Sequence, residues 1–138
     1  MSFSAIYDVS GSAMRSQVMR LDTIASNMAN ANTAASTEEG AYRALKPVFA
    51  ALYSQTQESQ SLTAQVQMLG VTASDRTVEQ RYEPNNPLAN QDGYVFYSNV
   101  NPLEEMADMM AASRSYQTSV EVMNRVASMQ QSILRLGQ

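Results

Sequence analysis

The chain of 138 residues is long enough for a domain with a modest core, and its formal net charge of −4 offers no basic stripe for nucleic-acid phosphates. It contains no cysteine and no histidine, which excludes disulfides and removes the commonest metal ligands and the commonest general base. Charged residues make up 16 %, whereas Ser, Thr, Asn and Gln together number 46. Neutral polar groups cost less to desolvate than ions, so this composition favours contact with other protein chains.

The sequence also argues against a membrane span and against catalysis. No apolar run approaches the roughly 18 residues of a transmembrane helix, and the start of the chain lacks the basic and apolar regions of a cleaved secretory signal. Adjacent carboxylates occur at Glu38-Glu39 and Glu104-Glu105, but neighbours on a helix diverge by about 100° and do not converge on a substrate. We therefore predict no enzymatic activity, no cofactor and no metal.

Residues 4–32 are predicted to form the first helix. An apolar seam with steps of four and three residues indicates a helix that pairs with another, and it runs through Met14, Val18, Leu21, Ala25 and Met28. The opposite face carries small neutral polar residues instead of Lys and Glu: Ser12, Ser16, Thr23, Ser26, Asn27 and Asn30. We expect this face to contact another subunit, the alternative being a solvated face.

The middle of the chain, residues 34–100, is predicted to be a loop followed by a small β-rich insertion of several short strands. The segments "PVFAALY", "QVQMLGVT" and "YVFY" favour strands, and "EPNNPLANQDG" is typical of turns. The polar segment from Ser54 to Gln65 is predicted to be a connector or a mobile tip.

A second long helix is predicted from Pro102 to Leu136, ending at Gly137. Asn101 is a candidate N-cap, Pro102 suits the first helical position, and Glu104 sits where a capping box needs it. The apolar residues of this helix cover an arc of roughly 200°, although about 100° is enough to dock on one core. One stripe contains Met106, Met109, Met110, Tyr116, Val120 and Met123, and the other contains Val122, Val126, Met129 and Ile133. A helix with two apolar faces indicates contact with other subunits.

Two segments carry a family resemblance. "LDTIASNMANANT" resembles the ASN-(L/M)-ANA-x-T signature near the N-terminus of bacterial flagellar rod, hook and hook-associated proteins, the flagellar axial family. "DGYVFYSNVNPLEEMADMMAASRSYQTSVEVMN" is similar to the GYV-x-Y-P-N-V-N strand and following helix of proximal rod proteins in that family. The resemblance covers nearly the whole chain. One departure is Ser98, which stands where the family usually has proline.

The resemblance implies a structural subunit of the proximal rod of the flagellar basal body. It implies a mainly α fold with a small β-rich insertion, in which the two long helices pair as an antiparallel coiled coil and stack into a helical tube that carries torque from the motor to the hook. The halves of the coiled coil would be residues 1–33 and 101–138. It also implies export through the flagellar type III apparatus without a cleaved signal, to a rod that crosses the periplasm. The partners would be further copies, other proximal rod proteins, the base adaptor and the distal rod.

The helix faces and the resembling segments together give the candidate residues for subunit contacts. They are Leu21, Ile24, Asn27, Met28, Asn30, Tyr94, Tyr97, Asn99, Asn101, Met106, Met110, Tyr116, Val120, Met123, Val126 and Ile133. Two alternatives remain open. The first is a soluble helical adaptor or secretion chaperone that binds partner helices without polymerising, although such a protein needs neither the β insertion nor the "YSNVN" segment. The second, less favoured, is an enzyme that uses serine and carboxylates.

Overall fold

The computed structural model describes residues 3–55 and 62–136, and within these residues two long helices flank five strands. In chain order the elements are α1 (Phe3–Ala29), β1 (Ala34–Ala35), β2 (Leu45–Gln55), β3 (Leu62–Ala73), β4 (Glu79–Tyr82), β5 (Tyr94–Tyr97) and α2 (Pro102–Leu136). The two predicted helices and the β region between them are confirmed. The predicted helix end at Gly137 lies outside the described residues.

The chain forms two compact units. The first combines three separate stretches of sequence, and the second combines two. The first unit contains Met1–Leu21, Val48–Gly70 and Met110–Gln138, and the second contains Asp22–Pro47 and Val71–Met109. Each unit therefore receives part of both helices and part of the β region.

The second unit contains a three-stranded antiparallel sheet in the order β1-β5-β4. Its central strand buries Val95 completely. The turn before β5 follows the predicted chemistry, because Gly93 adopts a φ of +81° that favours glycine. A Cβ at this position would lie 2.8 Å from the ring of Tyr82. The side-chain oxygen of Asn90 accepts the N–H groups of Asp92 and Tyr94 and so closes the turn.

Strands β2 and β3 form a separate two-stranded sheet and are longer than the short strands predicted from the sequence. They contain 11 and 12 residues. The segment from Ser54 to Gln65, predicted to be a connector, contributes residues 54–55 to β2 and residues 62–65 to β3. Its remaining residues, 56–61, lie outside the described part of the chain. The strands extend further than predicted because polar residues are compatible with a strand whose side chains are largely exposed.

Helix α2 begins where its cap residues predict. The Leu103 N–H donates to Asn101 Oδ1 over 3.0 Å, as expected of an N-cap. The Glu104 carboxylate accepts from the Asn101 side chain at 3.4 Å and from the Arg76 guanidinium at 2.8 Å. The carboxylate therefore ties the start of the helix to the loop before β4.

Helix α1 buries its polar face and leaves much of its apolar seam uncovered, which reverses the expectation from the sequence. Val18 is 43 % exposed and Ala25 is exposed as well. The buried residues of α1 include four from the predicted polar face: Ser12, Ser16, Thr23 and Asn27. The physical reason is that strand backbones next to this face need hydrogen-bond partners, which apolar side chains cannot provide.

Candidate assembly interface

The Asn27 side chain connects α1 to β2, to α2 and to the segment before β2 through hydrogen bonds within the second unit. It is only 1 % exposed. Its Nδ2 donates to the Leu45 carbonyl at 2.9 Å and to Glu105 Oε1 at 3.0 Å, while its Oδ1 accepts from the Leu45 N–H at 2.8 Å and the Tyr42 hydroxyl at 3.1 Å. An amide has two N–H donors and two oxygen lone pairs, so its capacity is filled. The Asn27 amide is therefore fully satisfied within its own chain, and its role in a subunit contact stays a prediction.

Asn30, one turn later, ends the helix. Its Nδ2 donates to the Ser26 carbonyl at 2.8 Å, and its own carbonyl accepts the Thr33 hydroxyl at 2.8 Å. The side chain is partly exposed, in contrast to Asn27. A role of Asn30 in a subunit contact therefore stays a prediction.

Glu105 is a buried carboxylate whose side chain reaches the Asn27 amide. It is 9 % exposed. Burial raises the pKa of the Glu105 carboxyl above its ordinary value, and the nearby Asp108 and Glu104 act in the same direction. The hydrogen bond from Asn27 and the charge of Lys46 oppose this and lower the pKa by less. Folding therefore favours the protonated form of this residue.

Asn99 binds the same short backbone segment as Asn27. Its Oδ1 accepts the Ala44 N–H at 2.7 Å, and its Nδ2 donates to the Arg76 carbonyl at 2.7 Å. Ala44 and Leu45 are thus held by one amide from α1 and one from the segment after β5. The two motifs on which the family resemblance depends meet at these two residues.

Ser98, the residue that departs from the family pattern, is buried, and both its backbone N–H and its hydroxyl form hydrogen bonds. Its backbone N–H donates to the Thr33 carbonyl at 3.2 Å, a hydrogen bond that proline cannot make. Its hydroxyl accepts the Val100 N–H at 3.2 Å. Ser98 therefore connects the end of β5 to the segment after α1.

Tyr94 and Tyr97 lie on the three-stranded sheet and have neighbours in their own unit. The ring of Tyr94 meets the ring of Tyr82 edge to face, with centroids 5.3 Å apart. The Tyr97 hydroxyl donates to the Glu83 carboxylate at 3.1 Å, and the Arg81 guanidinium stacks 4.6 Å from its ring centroid. These contacts position both rings at a partly exposed surface.

In the first unit, two serines of α1 do for β3 what Asn27 does for β2. The Val66 N–H donates to Ser12 Oγ at 3.2 Å, and the Ser16 hydroxyl lies 3.5 Å from the Val66 carbonyl oxygen. The hydroxyl of Tyr7 donates to Gln130 Oε1 of α2 at 3.1 Å. Small hydroxyls thus occupy the buried face of α1 because they reach strand backbone groups.

The predicted apolar contact residues divide into an inner and an outer set. Ile24 and Val126 are buried, at 4 % and 8 % exposure, so they pack inside their own unit, and a role of either in a subunit contact stays a prediction. Others are partly covered: Leu21, Met28, Val120 and Met123. Ile133 is 51 % exposed. The other exposed candidates are Asn101, Met106, Met110 and Tyr116.

The roles of several buried residues were not predicted from the sequence. Glu105 was noted only as one of two adjacent carboxylates, although it lies at heptad spacing from the buried Ala112 and Val126. Tyr42 was not singled out, and the strand contacts of Ser12 and Ser16 could not be predicted, since they depend on where the strands lie. Across the described residues, neither helix is long and apolar enough to cross a membrane.

Comparison with known proteins identifies the class. A family model described as flagella basal body rod protein matches residues 8–34, which include Asn27. A second, described as flagellar basal body rod FlgEFG protein C-terminal, matches residues 91–136, which include Ser98 and Asn99. Both models describe proteins of the flagellar rod, the class to which the two motifs also point.

Full-length relatives narrow the class to one family. The chain is 41 % identical to the flagellar basal-body rod protein FlgC of Salmonella typhimurium strain LT2 and to that of Escherichia coli O157:H7, over 100 % of each chain. It is 33 % identical to FlgC of Bacillus subtilis strain 168, over 94 % of this chain and 95 % of the relative. The chain therefore belongs to the FlgC family of flagellar basal-body rod proteins. It is a structural rod subunit and not an enzyme.

Proposed function

We propose that the chain is a subunit of the proximal rod, where it assembles by helix packing into the tube that transmits torque from the motor to the hook. The observation that carries this proposal is the two-sided use of α2 in the first unit. Ala112 and Val126 are buried within the subunit, whereas Met110, Met129 and Ile133 remain about half exposed or more. Exposed apolar side chains in such numbers mark a surface for other protein.

We further propose that α1 and α2 pair as an antiparallel coiled coil. In the first unit, Tyr7 near the start of α1 hydrogen-bonds Gln130 near the end of α2. In the second unit, Asn27 near the end of α1 hydrogen-bonds Glu105 near the start of α2. Each contact supports an antiparallel arrangement. The division of the chain at residues 33 and 100 stays a prediction.

The neighbours and the route to the rod belong to the same proposal. We expect contacts with further copies, with other proximal rod proteins, with the base adaptor and with the distal rod, in a rod that crosses the periplasm. We also expect export through the flagellar type III apparatus without a cleaved signal. The absence of cysteine from the sequence supports this route, because no disulfide can form before the chain is threaded through a channel. A non-polymerising adaptor is not favoured, since the relatives are rod proteins.

Genetic complementation tests the proposal. Deletion of the gene should abolish swimming and leave basal bodies without a complete rod, and the wild-type gene should restore both. Ile133→Asp should be exported into the medium but fail to restore swimming, because it places a charge at an exposed apolar position of α2. The control is Gln131→Asp, which adds the same charge at an exposed polar position two residues away. An intact rod in the deletion strain would refute the proposal.

A further inference from the structure

The three-stranded sheet of the second unit has one face that carries exposed aromatic side chains. The strand register pairs Tyr82 with Tyr94, and Phe96 follows two residues later on the same face. Tyr82 and Tyr94 are 65 % and 36 % exposed, and Phe96 is partly exposed. Val95, on the other face, is fully buried. The sheet therefore turns an aromatic surface toward solvent.

Phe96 lines an open pocket of about 580 Å³ at this face, which we call the Phe96 pocket. The charged residues of its lining come from the segment before β2 and are Glu38, Glu39 and Arg43. The Arg43 guanidinium lies 3.6 Å from the Glu38 carboxylate and offsets its charge. No basic side chain among the described residues forms an ion pair with Glu39. The pocket thus combines an aromatic ring with an unpaired carboxylate.

The opposite face of the same sheet shows which group fits such a combination. There the Arg81 guanidinium lies 4.6 Å from the centroid of the Tyr97 ring and 2.8 Å from the Glu79 carboxylate. A guanidinium can stack on an aromatic ring and donate N–H groups to a carboxylate at the same time, because it is planar. Phe96 and Glu39 offer the same two partners in the pocket. The chemistry of the pocket therefore fits an arginine side chain from outside the subunit.

Helix α2 in the first unit presents arginines that match this requirement. Three of them are exposed and form no ion pair with a described residue: Arg114, Arg125 and Arg135. At about 100° per residue they lie on one side of α2, roughly opposite the buried Ala112. Glu121 is the one acidic residue between Arg114 and Arg135 in the sequence, so this arginine stripe has an excess of positive charge.

We propose that an arginine of the stripe in one copy enters the Phe96 pocket of a second copy and pairs with Glu39. Charge complementarity supports this occupant, because the same chain carries an unpaired carboxylate on one surface and unpaired guanidinium groups on another. Opposite charges guide two surfaces together and fix their register. The two surfaces differ, so the contact is heterologous and can be repeated from copy to copy. This inference rests on the proposed function and names the surfaces through which copies meet.

Charge reversal in a strain that lacks the wild-type gene tests the contact. Glu39→Arg should abolish swimming, because it places like charges opposite each other. The matched control is Asp75→Arg, which makes the same change at an exposed position outside the pocket and should leave swimming intact. In the Glu39→Arg background, Arg114→Glu, Arg125→Glu or Arg135→Glu should restore swimming, because it recreates the pair with its charges exchanged.

Cysteine cross-linking gives a second measurement in which both charges are kept, and the cysteine-free sequence provides a clean background. Ser36→Cys lies in the pocket lining, and each helix variant lies within one turn of an arginine of the stripe: Thr118→Cys, Ser128→Cys and Ser132→Cys. Cells express Ser36→Cys and one helix variant in separate copies, and basal bodies are treated with a short bismaleimide. A covalent dimer is expected for at least one combination. Thr77→Cys, exposed and outside the pocket, replaces Ser36→Cys as the control and should give none.

Four outcomes would overturn the inference. They are normal swimming of Glu39→Arg, no rescue by any of the three reversals, a cross-link from Ser36→Cys to a different protein, and equal dimer from the Thr77→Cys control. Each can occur while the wild-type chain builds rods in the same strain. Such a result would refute the contact without refuting the proposed function.

Discussion

The two units of the subunit use the same helix to bind a strand backbone, but with different side chains. In the second unit one buried amide, Asn27, contacts both the N–H and the carbonyl of Leu45 at 2.8 and 2.9 Å. In the first unit two hydroxyls, Ser12 and Ser16, share the corresponding contacts with Val66 at 3.2 and 3.5 Å. The shorter contacts lie where the family motifs converge, and the longer ones lie beside exposed apolar strands and helix faces. The motifs thus mark hydrogen bonds inside the subunit, whereas the exposed apolar surfaces lie in less distinctive sequence.

The largest expected effect comes from comparing a buried with an exposed apolar residue of α2, which distinguishes a defect in folding from a defect in assembly. Val126→Asp should lower the free energy of unfolding by about 4 kcal/mol, because it removes a buried apolar side chain and buries an unpaired charge. Ile133→Asp, seven residues later and exposed, should change stability by less than about 0.5 kcal/mol while blocking rod assembly. Urea unfolding followed by circular dichroism measures both. Equal destabilisation by the two variants would mean that Ile133 is packed within the subunit as closely as Val126.

A similar contrast applies to the two asparagines at the end of α1. Asn27→Ala should cost about 3 kcal/mol of unfolding free energy, because the Leu45 backbone and Glu105 lose buried hydrogen bonds. Asn30→Ala should be within about 0.5 kcal/mol of wild type, since it gives up one local bond and gains helix propensity. The same urea titration compares them. If Asn30→Ala were the more damaging in rod assembly but neutral in the free protein, Asn30 would be a subunit contact.

A smaller effect is expected at the departure from the family pattern. Ser98→Pro should cost about 2 kcal/mol, because it removes the N–H bound to Thr33 and the hydroxyl bound to the Val100 N–H. Ser98→Ala, which removes only the hydroxyl, should cost about 1 kcal/mol. Thermal unfolding of both variants provides the measurement. A stabilising proline would show that the Thr33 contact contributes nothing.

The smallest expected effect concerns Glu105 and depends on pH. Because burial raises the pKa of Glu105, the folded state binds its proton more tightly than the unfolded state. The contribution of this residue to stability therefore increases as the pH falls through its folded pKa toward the ordinary value of 4.5. At pH 7 the ionised form is a cost, so Glu105→Gln should stabilise the protein by about 1 kcal/mol while keeping an acceptor for Asn27. This gain in stability should disappear near pH 4. A gain that does not depend on pH would contradict a raised pKa for Glu105.

Local chemistry in the sequence was sufficient to predict the helix starts and turns. Asn101 and Pro102 set the beginning of α2, and the Asp-Gly step predicted the turn in which Gly93 has a positive φ. Both depend on neighbouring residues only, so no knowledge of the fold was needed. The two long helices followed from periodicity for the same reason.

The buried face of α1 could not be predicted, because periodicity assigns apolar residues to the inside. Asn27 and Ser12 are inside since they meet strand backbone groups that need partners, and this need appears only once β2 and β3 are placed. Val18 was assigned to a seam and is 43 % exposed. Val126 was predicted to contact another subunit and is buried within its own, because a stripe on a helix does not say which chain covers it.

The capping of strand backbones by α1 has a consequence for the order in which the chain is made. Synthesis proceeds from the N-terminus, so Ser12, Ser16 and Asn27 exist before Leu45 and Val66 do. Each strand backbone therefore emerges when the side chains that bind it are already present on the same chain. A chain that begins after α1 would lack these side chains, and its strands would present unpaired backbone groups to any other chain nearby.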